Sequence, residues 1–180
     1  MSLVRWMDKK FNFGFKTSAQ EGSRMPPSEF KVWVDADDCH LQREIVRLCK
    51  GYDIVPQFVY NKVFAYYTDT KDVVVITVPV GFDSAEACIL DNLLPGDLVL
   101  TDDANLAADV LEKGAAPLDF RGRWFTEINI DERLASYAPN DSHPQEGSKR
   151  RRKKSTRTQL FRLRRQLKAY LKSTIKGENL

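Results

Sequence analysis

The chain of 180 residues is long enough for one domain with its own core, and its 42% hydrophobic and 29% charged residues are typical of a folded globular protein. Its net charge of +3 combines two opposite parts: residues 149–180 hold 13 Lys or Arg and one Glu, a charge of +12, which leaves −9 for residues 1–148. A membrane span, a secretion signal, a zinc site and a disulfide framework are not expected, because no apolar run approaches about 20 residues and the three cysteines form no CxxC pair. The sequence therefore predicts a cytoplasmic protein without a membrane partner.

The chain begins with a predicted extension, residues 1–29, in which Gly, Ser, Lys and Pro are mixed. From Phe30 onward, short runs of Val, Ile and Leu alternate with segments of helical periodicity. The predicted strands are 31–35, 54–60, 73–80, 97–101 and 116–118, and the predicted helices are 41–50, 84–94 and 104–114. Such strands, separated by helices, indicate a mainly parallel sheet covered on both faces, which is a three-layer α/β/α sandwich over residues 30–138.

A turn and a helix are predicted within residues 121–137, followed by a linker, residues 139–148, and a basic helical tail, residues 149–180. The tail carries a stripe of leucines at helical spacing, which consists of Leu160, Leu163, Leu167 and Leu171. One interpretation packs this stripe on the body and leaves the basic face in solvent. The other has the basic face bind the phosphates of a nucleic acid, and both can hold because leucine and arginine occupy different faces. The candidate phosphate-binding residues are Arg150, Arg151, Arg152, Arg162 and Arg165.

Acidic residues follow the predicted strands at three separate points. Asp35, Asp37 and Asp38 follow the first strand, Asp83 follows the third, and Asp102 and Asp103 follow the fourth. Because ligands bind at the carboxyl ends of the strands in an open parallel sheet, we expect these side chains at one edge. Clustered carboxylates repel one another unless a cation neutralises them, so the pattern predicts an Mg²⁺ or Mn²⁺ site and, with it, phosphodiester hydrolysis. The alternative for a single residue is a helix cap, a role that Ser84 or Asp103 could serve.

Four segments in this order, VWVDADDC, VGFDSAEACI, GDLVLTDDANLAADVLEKGA and RGRWFTEINIDERL, resemble the YaiI/YqxD family of bacterial PIN-like proteins. The resemblance covers residues 30–134. It implies a PIN-like α/β/α sandwich related to metal-dependent ribonucleases, in a family that is itself largely uncharacterised. PIN-like proteins often dimerise, so the resemblance leaves a homodimer open.

The resemblance also assigns individual positions. Asp35, Asp37, Asp83 and Asp103 match acidic residues of the family, Asn61 matches its amide after the second strand, and Glu86 stands where the family usually has Asp. The chain departs from the family pattern at Asp38 and Asp102, where Ala is usual, at His40 and Asn105, where Pro is usual, and at Asp119, where Asn is usual. The basic tail departs from it as well. None of these changes removes an expected acid.

The expected function is that of a metal-dependent nuclease acting on RNA. In this hypothesis Asp35, Asp37, Asp83 and Asp103 hold Mg²⁺ or Mn²⁺, Glu86 positions the attacking water, and Asn61 contacts the substrate. The alternative is a non-catalytic nucleic-acid-binding protein whose basic tail supplies the affinity. A haloacid-dehalogenase-like phosphatase is a third interpretation, because the Asp35 and Asp37 pair resembles its nucleophile motif, but no Lys lies between Thr77 and Asp102, where that chemistry requires one.

Overall fold

In the computed structural model of the protein, the described residues are 30–37, 39–60, 71–79, 84–137 and 156–176. Several predictions lie outside them: the extension 1–29, the linker 139–148, Asp38, Asn61, Asp83, and Arg150, Arg151 and Arg152. Within the described part of the chain, no helix combines the length and the apolar composition that crossing a bilayer requires.

One sheet of five strands forms the centre of the described structure. The strands are β1 (Val32–Asp35), β2 (Gln57–Tyr60), β3 (Val74–Thr77), β4 (Leu98–Leu100) and β5 (Ala116–Leu118). Their order across the sheet is β3-β2-β1-β4-β5, and every neighbouring pair is parallel. The chain moves outward from β1 to β3 and then returns to place β4 on the other side of β1. The crevice between the carboxyl ends of β1 and β4 is therefore the point where an open parallel sheet binds its ligands.

Five helices cover the sheet in the described part of the chain. They are α1 (Gln42–Lys50), α2 (Ser84–Asn92), α3 (Ala104–Glu112), α4 (Ile130–Tyr137) and α5 (Arg157–Lys176). On one face, α1 and α5 bury their apolar residues against β1, β2 and β4, and on the other face α2 and α3 pack around Trp33, Val59 and Val99. The short helix α4 packs outside α3 through Ile130 and Leu134. This arrangement confirms the predicted α/β/α sandwich with a parallel sheet and a C-terminal helix.

The leucine stripe of α5 is part of the main core. Leu163, Leu167 and Leu171 are fully buried in the same cluster as Val32 and Val34 of β1. The interpretation that packs these leucines on the body is therefore confirmed, while Arg162 and Arg165 of the same helix are exposed.

Gly122 allows α5 to approach the turn that follows β5. Its φ is +75°, and a Cβ at this position would collide with the backbone nitrogen of Leu163 and lie 2.6 Å from the carbonyl carbon of Arg162. At the other end of the helix, the Tyr170 hydroxyl donates to the carbonyl oxygen of Gly96, just before β4, at 2.9 Å. The helix thus runs antiparallel to the strands and begins at the carboxyl edge of the sheet.

Asp97 connects the amino ends of β1 and β4. It is 1% exposed, and its carboxylate accepts hydrogen bonds from the backbone N–H of Lys31 at 2.8 Å, the indole N–H of Trp33 at 3.0 Å and the backbone N–H of Leu94 at 3.1 Å. A buried carboxylate is stable when donors replace its water in this way. These bonds set the position of β1 relative to β4 and thus of the crevice at their other ends.

Candidate functional site

Thr101 joins the carboxyl ends of β1 and β4. Its hydroxyl donates to Oδ2 of Asp35 at 2.9 Å and accepts from the backbone N–H of Asp103 at 3.0 Å. Thr101 is fully buried, and Asp35, the last residue of β1, is half-buried. The predicted acid of the first strand and the predicted acid of the fourth therefore lie on either side of one buried hydroxyl.

Asp103 is the N-cap of α3. Its backbone is extended, with φ −79° and ψ 122°, and its Oδ1 accepts from the backbone N–H of Asn105 at 2.7 Å and of Leu106 at 3.3 Å. These are donors that the first turn of a helix leaves without intrahelical partners. The alternative interpretation of this residue as a helix cap is thus confirmed, and its role as a metal ligand stays a prediction.

Asp37 lies in a short loop that the backbone around it holds in place. The Ala36 N–H donates to the carbonyl oxygen of Val59 at 3.0 Å, and the Ala36 carbonyl oxygen accepts from the Cys39 N–H at 3.3 Å and from Nε2 of Gln42 at 3.3 Å. Ala36 is buried and Asp37 is half-buried. The loop therefore presents Asp37 next to Asp35 at the same edge of the sheet.

Glu86 lies in the first turn of α2, a helix that packs against β1 and β2. Because this helix returns from the carboxyl edge, its first turn lies at the same edge as Asp35. The Oε2 atom of Glu86 is buried and has no hydrogen-bond partner among the residues that the structure describes. A buried carboxylate oxygen without a donor is costly, so this atom suits a cation or a donor outside those residues.

The donor atoms at this edge fit Mg²⁺ or Mn²⁺ in chemical type, because Asp35, Asp37 and Glu86 offer the carboxylate oxygens that such hard ions prefer. Within the described ranges, however, no three His, Cys, Asp or Glu side chains are grouped closely enough to hold a metal ion. The predicted ligand Asp83 and the predicted substrate contact Asn61 lie outside those ranges. The metal site thus stays a prediction.

A cavity of about 370 Å³, which was not predicted from the sequence, adjoins this edge on the β5 side. Its walls include three arginines and three acids, which are Arg121, Arg123, Arg133, Asp102, Asp119 and Glu132. They come from the end of β4, the end of β5, the turn after β5, and α4. The only signal in the sequence was the basic pair of RGRW with an arginine further along in IDERL, and the fold is needed to bring these together.

Asp119 orients two of the three arginines of this cavity, the arginine cavity, which are Arg121, Arg123 and Arg133. Its Oδ2 accepts from Nε of Arg123 at 2.7 Å and from a terminal nitrogen of Arg133 at 3.2 Å, while its Oδ1 accepts from the backbone N–H groups of Arg121 and Arg123 at 2.9 and 2.8 Å. The Arg133 guanidinium also lies over the Phe125 ring, 4.1 Å from its centre. Asp119 is 1% exposed, so its carboxylate interacts with these arginines and not with solvent.

The acidic edge, which consists of Asp35, Asp37 and Glu86, and the arginine cavity lie at the same height along the strands, with β4 between them. The register pairs Val34 with Leu100 and Leu100 with Leu118, so the residues that follow, Asp35, Thr101 and Asp119, are level across β1, β4 and β5. Two strand spacings separate the backbones of Asp35 and Asp119 by roughly 10 Å. Asp102 stands between them, and its Oδ1 accepts from the Phe120 N–H at 3.1 Å.

The predicted phosphate-binding residues of α5 lie near the same edge. Arg162 is exposed, and a Cβ added at Gly122, in the turn beside the arginine cavity, would lie 2.6 Å from its carbonyl carbon. Arg165 is exposed one turn further along the helix. In contrast, Arg164 is directed to α1, where its Nε donates to Oε1 of Glu44 at 2.6 Å. The structure thus separates the arginines of α5 into one structural ion pair and a solvent-facing basic surface.

The comparisons with known proteins agree with the resemblance. A family model described as the uncharacterised YaiI/YqxD family matches residues 33–173, from β1 into the last turns of α5. The chain belongs to this family. The region that matches the YaiI/YqxD family therefore includes the sheet, both helical layers and the candidate site.

Curated relatives support the YaiI/YqxD assignment. A UPF0178 protein of Burkholderia vietnamiensis strain G4 is 42% identical over 110 residues, which cover 60% of this chain and 73% of the relative. A UPF0178 protein of Burkholderia cenocepacia strain HI2424 is 42% identical over 113 residues, with 62% and 75% covered. The names of these relatives specify no activity, and no solved structure gives a significant match.

Proposed function

We propose that the protein is a divalent-metal-dependent nuclease that hydrolyses phosphodiester bonds in RNA. The observation that carries this proposal is the hydrogen bond of 2.9 Å from Thr101 to Asp35, which fixes an acidic side chain in the crevice between the carboxyl ends of β1 and β4. Ligands of open parallel sheets bind in such a crevice. Asp37 on the adjoining loop and Glu86 on α2 add carboxylates at the same edge.

In this proposal Asp35 and Asp37, with Asp83 and Asp103, hold Mg²⁺ or Mn²⁺. When bound, such an ion neutralises the clustered carboxylates and polarises the phosphate group of the substrate. Glu86 positions the attacking water and accepts a proton from it, because its Oε2 is buried at this edge without a hydrogen-bond partner among the described residues. Asn61 contacts the substrate.

The proposed substrate class follows from the charges near the site. Arg162 and Arg165 are exposed on the part of α5 that begins at the carboxyl edge. A nucleic acid bound along this surface would lead a phosphodiester bond toward Asp35. Arginine contacts to phosphates add affinity without reading the base sequence.

The test is cleavage of a labelled single-stranded RNA with Mn²⁺, in wild type and in Asp35→Asn. Loss of the charged ligand should lower the rate by about 100-fold or more, because even outer-shell changes at metal sites cost roughly 10- to 100-fold. The matched control is Asp53→Asn. Asp53 is an exposed residue before β2, at the opposite edge of the sheet, and Asn tolerates its φ of +57° equally well.

Mn²⁺ binding measured by electron paramagnetic resonance provides a second readout. Asp35→Asn should weaken it, and Asp53→Asn should not. Equal cleavage by wild type and Asp35→Asn would identify a contaminating nuclease, and Mn²⁺ affinity that is unchanged in Asp35→Asn would contradict the proposed metal site.

A second candidate function is nucleic-acid binding without catalysis, favoured by the exposed Arg162 and Arg165 on a helix whose leucines are buried. It predicts RNA binding that is weaker in the double variant Arg162→Gln, Arg165→Gln. It also predicts that no RNA or other nucleic acid is cleaved with either Mn²⁺ or Mg²⁺. Deleting the whole tail is not a suitable test, because α5 supplies part of the core. Charge-removing substitutions on its exposed face leave that core intact.

A further inference from the structure

The arginine cavity beside the acidic edge suits a phosphate group. We infer that it binds one phosphate of a single-stranded nucleic acid while a neighbouring part of the same strand lies at Asp35. This inference rests on the proposed function for the identity of the strand. The binding site itself consists of Arg121, Arg123 and Arg133, and the Asp119 carboxylate orients two of them.

The guanidinium groups of Arg123 and Arg133 are held in place before any ligand binds. Both donate to the same Asp119 oxygen, at 2.7 and 3.2 Å, and Arg133 is also stacked on Phe125 at 4.1 Å. Arg123 donates to Asp119 only through Nε. This bond orients the guanidinium and leaves its two terminal nitrogens available to donate to a ligand. A guanidinium fixed in this way loses little freedom when it donates two parallel hydrogen bonds to a phosphate.

Asp119 does not compete with a phosphate for space. Its two oxygens accept four hydrogen bonds in total and the residue is 1% exposed, so a ligand in the cavity meets the arginines and not this carboxylate. The Arg123 side chain is 45% exposed and the Arg133 side chain 17%, which leaves donors accessible from the cavity. Arg121 is exposed at the same rim.

The charge balance favours one phosphate group over a bulk polyanion. The three arginines are offset formally by Asp119, Asp102 and Glu132, so the cavity as a whole carries no net charge. Asp119 is enclosed, Asp102 engages the Phe120 N–H, and Glu132 is exposed. The negative charges of Asp102 and Glu132 therefore disfavour a second phosphate in the cavity.

The size and place of the cavity match this role. A space of about 370 Å³ is large enough for a phosphate with part of a sugar. The backbone of Asp119, which orients its arginines, lies roughly 10 Å from that of Asp35, across two strand spacings, so a flexible single strand can reach both places. Asp102 separates the two and keeps the strand from occupying them with the same phosphate, because it repels a phosphate placed between them.

The experiment measures the affinity of the full-length protein for a short single-stranded RNA in EDTA, where cleavage is blocked, as a function of salt. Arg121→Gln should weaken binding about fivefold to tenfold, and the slope of log affinity against log salt should become shallower by about 0.7, the value for one lost single-strand phosphate contact. Arg123→Gln should do the same. The control Lys113→Gln removes one exposed positive charge at the opposite edge of the sheet and should leave affinity and slope unchanged.

Thermal unfolding shows whether Arg123→Gln destabilises the hydrogen bonds around Asp119. The Arg121 side chain is exposed, so Arg121→Gln removes a charge from the cavity without this effect on stability. RNAs with and without a 5′-phosphate distinguish a terminal from an internal phosphate, and competition by inorganic phosphate reports whether the cavity takes a free ion. If Arg121→Gln and Arg123→Gln both bind RNA as wild type does, with the same salt slope, the inference is wrong. Weaker binding by these variants without any cleavage in Mn²⁺ supports the phosphate site and contradicts the nuclease proposal, so the two can fail separately.

Discussion

The hydroxyl of Thr101 donates to Oδ2 of Asp35 at 2.9 Å, across the boundary between β1 and β4. The Thr101 hydroxyl oxygen also accepts a hydrogen bond from the backbone N–H of Asp103 at 3.0 Å. One buried threonine thus orients Asp35, a candidate metal ligand on β1, and Asp103, the first residue of the turn that begins α3. A change at Thr101 should therefore affect both the stability of the fold and the geometry of the site.

Thr101→Val preserves the shape of the side chain and removes both hydrogen bonds. We expect it to lower the free energy of unfolding by about 1–3 kcal/mol, because buried polar groups lose their partner. The measurement is urea denaturation. Thr158→Val, at an exposed position on α5, serves as the control and should change stability by no more than about 0.5 kcal/mol. A Thr101→Val variant as stable as this control would show that the two bonds contribute little.

Gly122→Ala should displace α5 from the turn after β5. Its cost combines a positive φ with a collision against the backbone of Leu163, so we expect a loss of about 3 kcal/mol or more. Gly96→Ala is the matched comparison, because Gly96 has a similar φ of +86° but no atom within 4 Å of the added methyl group. It should cost about 1–2 kcal/mol. Equal losses from the two substitutions would mean that the close approach of α5 does not contribute.

Leu167→Ala should destabilise the whole domain rather than release a separate tail. The side chain is fully buried in the main core, and removing it should cost about 2–5 kcal/mol. Phe161→Ala on the same helix removes a side chain that is 66% exposed and should cost less than about 0.5 kcal/mol. Chemical denaturation followed by tryptophan fluorescence, which reports on the buried Trp33, measures both. A Leu167→Ala variant with unchanged stability would contradict the packing of α5 on the sheet.

The ion pair between Glu44 and Arg164 should give the stability a pH-dependent component. Partial burial acts to raise the pKa of Glu44, but hydrogen bonds and charge from Arg164 and Arg47 outweigh it, and the pKa is lowered from its ordinary value. A carboxylate with a lowered pKa stabilises the fold above its unfolded-state pKa, and this contribution is lost as the pH falls through the folded-state pKa. Glu44→Gln should therefore be less stable than wild type at pH 7, and the difference should shrink below about pH 4.

Urea denaturation of both proteins across this pH range measures the effect of Glu44→Gln. Glu112→Gln, which removes one exposed carboxylate from α3, is the control for a change in surface charge alone. A difference between wild type and Glu44→Gln that grows as the pH falls would have the wrong sign for this linkage.

Much of the fold could be predicted because its strands and helices are visible in local patterns of apolar residues. The run VWVD reads as a buried strand, and Leu163, Leu167 and Leu171 recur at the spacing of a helix with one apolar face. Both features depend on neighbours in the sequence, and both are confirmed. The order of the strands is different in kind, because alternation of strands and helices does not say on which side of β1 the chain places β4.

The sequence predicts that acidic residues such as Asp35 and Asp37 lie at one edge of the sheet, but it does not predict which atoms they contact. Asp103 was recognised both as a possible ligand and as a possible cap, and only the bonds to Asn105 and Leu106 confirm the capping role. Asp119 and Arg133 are 14 positions apart, and their ion pair depends on where α4 packs. The buried Thr101 was not singled out, because a threonine at the end of an apolar run gives no sign that two carboxylate segments meet on it.

The position of α5 has a consequence for synthesis of the protein. The apolar face of β1, β2 and β4 is covered partly by leucines that leave the ribosome about 50 residues after β5. At 5–20 residues per second, that face stays open on the nascent chain for roughly 3–10 s. During this interval the emerging polypeptide exposes an apolar sheet that other chains can bind, so we expect chaperones that shield such surfaces to raise the yield of folded protein.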